Sequence, residues 1–187
     1  PIIKEKEKNC QKNSEKVLSA FQNQKISEVH FNSTTGYGYN DIGREKIENI
    51  FSEVLGAEDS LVRNQFISGT HALTVSLFAM LRPGDTMLSI SGKPYDTLDS
   101  VIGLEENPSS LKAYGVYYEQ IDLKENEFDE EKIVERVKKG NVKLITIQRS
   151  RGYATRKSLT IEKIEHIISS IKRINKQVII MCDNCYG

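Results

Sequence analysis

Three short segments of this 187-residue sequence contain the residue types that can hold a charged ligand. The first, Ser68-Gly69-Thr70-His71, lies between a strand-like and a helix-like run, where free backbone N–H groups and the helix dipole favour a phosphate. Gly69 would let the backbone approach such a ligand closely. Because the spacing matches neither a Walker loop nor a dinucleotide fingerprint, an ordinary helix cap is an equally good interpretation. His71 alone fits a structural hydrogen-bonding role better than a general base.

The other two segments contain an aromatic ring and a carboxylate. Ser91–Asp96 also follows a strand-like run, and Tyr95 could lie flat against a planar ligand or simply pack its ring. Asp183 ends an apolar run that is typical of a strand buried on both faces, where an unpaired carboxylate is costly. We therefore expect Asp183 to have a partner: a cationic ligand, a helix N-terminus, an arginine or a metal.

Cys182 and Cys185 have the Cys-x-x-Cys spacing of a redox pair or of half a zinc site. A closed zinc site needs four ligands, and only Cys10 and three scattered histidines remain to complete it. The odd number of cysteines favours reduced thiols over a disulfide framework. No metal site is predicted, and Cys182 is predicted to be a small core residue.

Alternating helix-like and strand-like segments must position these residues. Apolar periodicity predicts strands at 61–67, 86–90, 115–121, 142–147 and 178–181, and helices at 5–21, 71–81, 95–102, 129–139 and 160–174. A further helix, second along the chain, has its apolar face between Ile47 and Leu55. Asp41 and Glu45 favour the start of the second helix, and Gly56 its end. The alternation predicts an α/β fold with a mostly parallel sheet flanked by helices. We expect a large domain over residues 43–187 and an N-terminal helix and loop extension over 1–42.

Composition favours neither nucleic acid nor membrane as a partner. The chain has 26 basic and 26 acidic residues, spread along the sequence apart from a Lys/Glu-rich opening. No apolar run approaches the ~20 residues that span a bilayer, and the first residues lack the order of a secretory signal. A cytoplasmic setting is expected. Since the chain opens at Pro1 and stops at Gly187 just after a strand-like run, we also expect a longer parent protein.

Together, five segments in this order resemble one enzyme family over residues 29–187. It is the methionine gamma-lyase-like group often labelled aluminium-resistance proteins, which is related to the cystathionine lyases. The segments are Thr34–Arg44, Ser68–Leu73, Gly92–Leu98, Gln148–Tyr153 and Asp183–Gly187.

The resemblance implies the aspartate-aminotransferase-type fold of pyridoxal-phosphate (PLP) enzymes, as a homodimer or homotetramer whose coenzyme sits between subunits. It also implies a carbon–sulfur lyase that performs β- or γ-elimination on a sulfur amino acid. By this likeness Gly69, Thr70 and His71 would bind the phosphate, Tyr95 would stack on the ring, and Asp183 would pair with the pyridine nitrogen. A carboxylate there keeps the nitrogen protonated, which makes the ring an electron sink.

Other roles implied by the resemblance concern the rim of the coenzyme site. Tyr37 or Tyr39, with Arg44, would reach the site of the neighbouring subunit, although their spacing departs from that of related enzymes. Gln148 and Arg149 would border the coenzyme or the substrate carboxylate.

In this family the Schiff-base lysine lies on a strand beyond the aspartate, and no residue follows Gly187. We therefore expect the 187-residue chain to be inactive by itself. Two other hypotheses stay open. One is a non-catalytic phosphate- or nucleotide-binding module, and the other is a thiol redox or metal protein that uses Cys182 and Cys185.

Overall fold

The computed structural model describes residues 2–37, 39 and 41–185. Gly38, Asn40, Tyr186 and Gly187, which belong to the segments quoted above, lie outside the described residues. Spatial proximity groups the chain into two compact units, Pro1–Gln65 and Phe66–Gly187. The division after residue 42 stays a prediction. In the described part of the chain, none of the helices combines the length and the apolar character needed to cross a bilayer.

The first unit is helical. It contains α1 (Ile2–Asn23), a 3-10 turn (Glu28–Phe31) and α2 (Ile42–Leu55). The Asp41 side chain caps α2 by accepting a hydrogen bond from the Arg44 N–H at 3.0 Å. Gly56 ends the helix in the left-handed conformation, with φ of 66°. Both predicted ends of this helix are therefore confirmed.

The segment Leu61–Ile67 was predicted to be a strand, and this prediction is wrong. Its residues form no ladder with the described strands. The Val62 N–H instead donates to the Glu48 side chain at 2.9 Å, and Arg63 forms an ion pair with the same carboxylate. A side chain of α2 thus takes the place of a neighbouring strand. Leu61 and Ile67 stay largely exposed.

The second unit is the predicted α/β structure. A four-stranded, all-parallel sheet has the order β2-β1-β3-β4. Its strands are β1 (Thr86–Ser89), β2 (Tyr117–Gln120), β3 (Val142–Gln148) and β4 (Ile179–Asp183). Its helices are α3 (Gly69–Met80), α4 (Asp99–Ile102), α5 (Glu130–Lys138) and α6 (Ile161–Ile174).

Helices cover both faces of the sheet. On one face α5 and α6 pack Ile133 and Ile167 against the β3 residue Ile145. On the other face Leu77 of α3 and Ile102 of α4 pack with the strand residues Met87 and Leu144. Because successive side chains of a strand point to opposite faces of the sheet, the same strands supply two separate cores.

Two details of the second unit differ from the sequence predictions. The helix predicted over 95–102 is a 3-10 turn (Asp96–Leu98) followed by the single turn of α4. The strand β4 was predicted to be buried on both faces, but it is the outermost strand of the described sheet and is only half-buried. A continuous apolar run is typical of a strand with both faces covered, and an outermost strand is less completely covered than a central one.

Candidate functional site

The order of the strands creates a switch point between β1 and β3. From β1 the chain moves outward to β2, and it then crosses back to β3 on the other side of β1. In open parallel sheets, ligands bind beyond the carboxyl ends of the strands at such a point. A small cavity lies there, lined by Leu73, Pro94, Leu98, Gln148 and Asp183 together with inward-facing strand residues.

The regular pairing of β1 and β3 ends at this cavity. The Ile90 N–H still donates to the Thr146 carbonyl at 3.1 Å, as in the ladder. Two residues later, the Gln148 N–H donates to the Ser91 hydroxyl at 2.8 Å. A side chain thus takes the place that a backbone carbonyl of β1 would have in a regular ladder. The buried Thr146 hydroxyl lines the cavity and has no hydrogen-bond partner among the described residues. The cavity wall therefore offers an unused polar group.

The N-terminus of α3 lies next to the Tyr95 segment. Ser68 caps this 12-residue helix, and its hydroxyl accepts from the His71 N–H at 3.0 Å. The N–H groups of Gly69 and Thr70 have no acceptor within the helix, because the first turn of a helix has none. The Thr70 hydroxyl donates to the Thr97 hydroxyl at 3.1 Å, which joins the helix start to the turn after Tyr95.

His71 has structural contacts at this helix start. Its Nδ1 accepts a hydrogen bond from the Ile67 N–H at 3.4 Å. Its ring meets the Phe66 ring edge-on, with 5.9 Å between centroids. The backbone N–H and the Nδ1 atom of His71 are therefore both engaged, whereas the space beside Gly69 is open.

Tyr95 is half-buried and held on several sides. Its hydroxyl lies 3.3 Å from the Ser150 hydroxyl, where either oxygen can be the donor. The ring of Tyr153 meets it edge-on at 6.5 Å. A Cβ atom at Gly152 would lie only 2.9 Å from Cε1 of Tyr95, so the ring and the loop after β3 are in close contact.

Asp183 and Gln148 are neighbours across the sheet. They are register partners at the ends of β4 and β3, and both line the cavity. The Asp183 Oδ1 atom accepts from the Cys185 N–H at 3.0 Å. Asp183 is half-buried rather than fully buried, so the expectation of a deeply buried acid is wrong. The reason is again the outer position of β4.

Cys182 was predicted to be a core residue, and this prediction is also wrong because the residue is exposed. The pKa of its thiol is nevertheless raised, first by partial burial and then by the negative charge of Asp183. Cys10 and Cys185 are exposed free thiols as well. Within the described ranges there is no group of three or more His, Cys, Asp or Glu side chains arranged to hold a metal.

Lys93 lies beside the site but is engaged in an ion pair. Its Nζ is 2.6 Å from Asp99 Oδ2, and this hydrogen bond is the main reason that the Lys93 pKa is raised. Asp99 is almost completely buried. Lys93 therefore holds its proton and is a poor nucleophile at neutral pH.

Tyr37, Tyr39 and Arg44 belong to the first unit. The two tyrosines are more than four-fifths exposed, which leaves both rings available for a further contact. Arg44 donates to the Gly36 carbonyl at 3.4 Å and lies 3.7 Å from the Asp41 carboxylate. It therefore holds the ends of the 36–41 loop together.

Two residues of the site were not singled out from the sequence. Ser91, which bridges β1 and β3, lies in the Ser91–Asp96 segment noted for following a strand, but Tyr95 was the residue chosen there. Arg156 donates to carbonyls in the loop after β3, and no local pattern marks it. Its role depends on where the loop brings those carbonyls.

Known proteins resemble this chain along its whole length. The profile of the family described as methionine gamma-lyase matches residues 1–187. The Bacillus subtilis protein YnbB, which is uncharacterized, is 44% identical over 189 residues, covering 100% of this chain and 45% of that protein.

Two solved structures are also similar. A carbon-sulfur lyase involved in aluminum resistance from Clostridium novyi has 46% identity and a TM-score of 0.87, over 92% of this chain and 41% of that one. A Clostridium acetobutylicum protein, provisionally named a cystathionine beta-lyase involved in aluminum resistance, has 48% identity and a TM-score of 0.89, over 92% and 42%.

The chain thus spans less than half the length of these relatives, and the resemblance inferred from its five segments is confirmed. Three observations point to the same family. They are the profile match over every residue, the parallel sheet and the presence of a lyase among the similar structures. On this evidence the chain belongs to the methionine gamma-lyase family.

Proposed function

We propose that the whole protein is a PLP-dependent carbon–sulfur lyase acting on a sulfur amino acid, and that this chain supplies its coenzyme-binding surface. Membership of a lyase family supports the proposal. The observation on which it rests is the cavity at the β1–β3 switch point, which Asp183 and Gln148 share with Leu73 of α3 and with Pro94 beside Tyr95.

The chemical groups at and near this cavity match the parts of PLP: its phosphate, its ring and its pyridine nitrogen. The free N–H groups of Gly69 and Thr70 suit a phosphate dianion. The Tyr95 ring, fixed by Ser150 and Gly152, provides a flat apolar surface. Asp183 provides a carboxylate that is partly withdrawn from water and anchored by the Cys185 N–H. When bound, PLP supplies an electron sink for a carbanion at the substrate α-carbon.

Each of these residues then has a definite task. Asp183 holds a proton on the pyridine nitrogen, since a nearby carboxylate favours the protonated form of a heterocycle. Tyr95 orients the ring, and Gln148 offers an amide at its edge. We propose that Tyr37, Tyr39 and Arg44 serve the site of a second copy in a homodimer or homotetramer, because the tyrosines are free to do so.

The test uses pyridoxamine phosphate, which has the ring and phosphate of PLP but no aldehyde, so that its binding requires no lysine. We expect Asp183→Asn to weaken binding to the 187-residue chain by roughly tenfold or more, because the variant loses a charge-assisted contact of about 1.5–3 kcal/mol. Isothermal titration calorimetry at about pH 7.5 measures the dissociation constant. Asp122→Asn is the matched control, since Asp122 is an exposed carboxylate that follows β2 at the same sheet edge.

Equal weakening by the two substitutions would contradict the proposal. Preferential binding of a nucleoside triphosphate over pyridoxamine phosphate would also contradict it, and would favour the phosphate- or nucleotide-binding module instead. In the whole protein that contains this sequence, release of a keto acid together with sulfide or a thiol from a sulfur amino acid is the expected activity.

A further inference from the structure

The loop between β3 and α6 contains an arginine whose guanidinium donates to three backbone carbonyls. The Arg156 Nη2 atom donates to the Gln148 carbonyl at 2.9 Å and also to the Ser150 carbonyl. Its Nη1 atom donates to the Lys157 carbonyl at 3.0 Å. One guanidinium therefore ties the later part of the loop, at residues 156–157, to the end of β3. A planar group with several fixed donors is suited to such multiple contacts.

This arginine is half-buried and has no acidic partner in the described part of the chain. Desolvation lowers its pKa, and the phenolate form of the nearby Tyr95 acts in the opposite direction. A cation removed from water costs stability unless polar groups satisfy it. Here backbone carbonyls perform this function, so the position of the loop depends on the guanidinium.

The same loop forms the wall against which Tyr95 packs. Ser150 accepts from Arg156 through its carbonyl, and its hydroxyl lies 3.3 Å from the Tyr95 hydroxyl. Gly152 lies against the edge of the Tyr95 ring, and Tyr153 meets that ring edge-on. These loop contacts with Tyr95 all lie between residues 148 and 157, which the Arg156 side chain holds together.

We propose that Arg156 is a positioning residue for Tyr95: by holding the loop at residues 148–157 in place, it fixes the orientation of the ring that faces the coenzyme. The coenzyme part of this inference rests on the proposed function. The contact part does not, because the link from Arg156 through Ser150 to Tyr95 exists within this chain.

The first experiment needs no ligand. Chain labelled with ¹³Cζ-tyrosine gives one NMR signal per tyrosine, and Tyr95→Phe identifies the signal of Tyr95. We expect Arg156→Met to shift or broaden that signal. Arg151→Met removes the same charge from an exposed position in the same loop and should leave it unchanged.

Arg156→Lys guards against a variant that fails to fold. A lysine keeps the positive charge, but its single ammonium cannot reproduce the planar fork of donors that the guanidinium offers to three carbonyls. The Arg156→Lys chain should therefore keep its far-ultraviolet circular dichroism while the Tyr95 signal still moves. An unchanged Tyr95 signal in a folded Arg156→Lys chain would overturn the inference.

The second experiment adds pyridoxamine phosphate. We expect Arg156→Lys to weaken its binding about tenfold, equivalent to about 1.4 kcal/mol, and to alter the induced circular dichroism of the bound ring. Arg151→Met should change neither quantity. If the unaltered chain does not bind the ligand, the proposed function fails, while the Tyr95 signal still decides whether Arg156 positions the ring.

Discussion

At the scale of single residues, Gly152 shows how closely the loop after β3 approaches Tyr95. It has φ of +57°, and a Cβ atom there would lie 2.9 Å from the Tyr95 ring. We expect Gly152→Ala to destabilise the second unit by about 2 kcal/mol, roughly half from the left-handed backbone and half from the displaced ring. Urea unfolding followed by circular dichroism measures the loss.

Gly140→Ala is the matched control for this prediction. Gly140 also has a positive φ, of +78°, but nothing lies within 4 Å of the position that a Cβ atom would occupy. Its substitution should therefore cost only the backbone part, about 1 kcal/mol. Equal losses at the two positions would show that the contact with Tyr95 contributes nothing.

The residues of the candidate site were predictable from the sequence to different degrees. Candidate residues lie where a predicted strand ends or a predicted helix begins, as Gly69, Tyr95 and Asp183 do. The alternation of strand-like and helix-like segments was therefore sufficient to identify them. The half-burial of Asp183 and the exposure of Cys182 were not predictable, because the apolar run before them does not reveal which strands lie beside it. The role of Arg156 depends on carbonyls that only the folded loop brings together.

At the scale of elements, α5 and α6 are joined by a carboxylate. The Glu130 side chain accepts from the Ser170 hydroxyl at 2.6 Å and interacts with His166 Nε2 at 3.0 Å. These bonds, with Ser170 the larger cause, lower the Glu130 pKa in the folded chain. A carboxyl group whose folded pKa is depressed stabilises the fold above its unfolded pKa, and this contribution is lost as the pH falls through the folded value.

We therefore expect Glu130→Gln to cost up to about 1 kcal/mol near pH 7, a small value because the side chain is nearly half exposed and water screens it. The cost should shrink as the pH falls below about 4. Urea unfolding at several pH values measures both effects. Glu131→Gln, at the exposed neighbouring position, should show no such pH-dependent difference; a constant cost of Glu130→Gln at all pH values would contradict this explanation.

Elements with strong local signals were predicted more accurately than those that depend on neighbours. Capping residues and periodic apolar stripes located α2, α5 and α6 to within a few residues. The segment at 61–67 has the residue types of a strand, but the Glu48 side chain takes its backbone donor. The segment at 95–102 has helical periodicity, but it forms a 3-10 turn before α4, and Tyr95, with ψ of 142°, lies outside that turn.

At the scale of the whole molecule, the buried apolar residues are distributed unequally. In the first unit the buried apolar side chains of the described residues are Ala20 and Ile50, whereas the second unit has two cores. Regions with few buried apolar contacts open most readily. Limited digestion with proteinase K should therefore remove the first unit early and leave a resistant fragment that begins near residue 66, as identified by mass spectrometry.

Two substitutions of the same kind test this expectation. Ile145→Ala removes a completely buried side chain from β3 and should cost about 2–5 kcal/mol, so that the resistant fragment disappears. Ile50→Ala truncates the buried isoleucine of α2 and should leave the fragment intact. Loss of the fragment in the Ile50→Ala chain alone would reverse our assignment of the more stable unit.

The Ser91 hydroxyl between β1 and β3 has a geometric consequence for the whole sheet. In a regular ladder the Gln148 N–H would meet a carbonyl, and the two strands would stay at a fixed spacing of about 4.8 Å. Here the Ser91 hydroxyl accepts that proton instead. The pairing of β1 and β3 can therefore end at the crevice without leaving the last backbone donor of β3 unsatisfied.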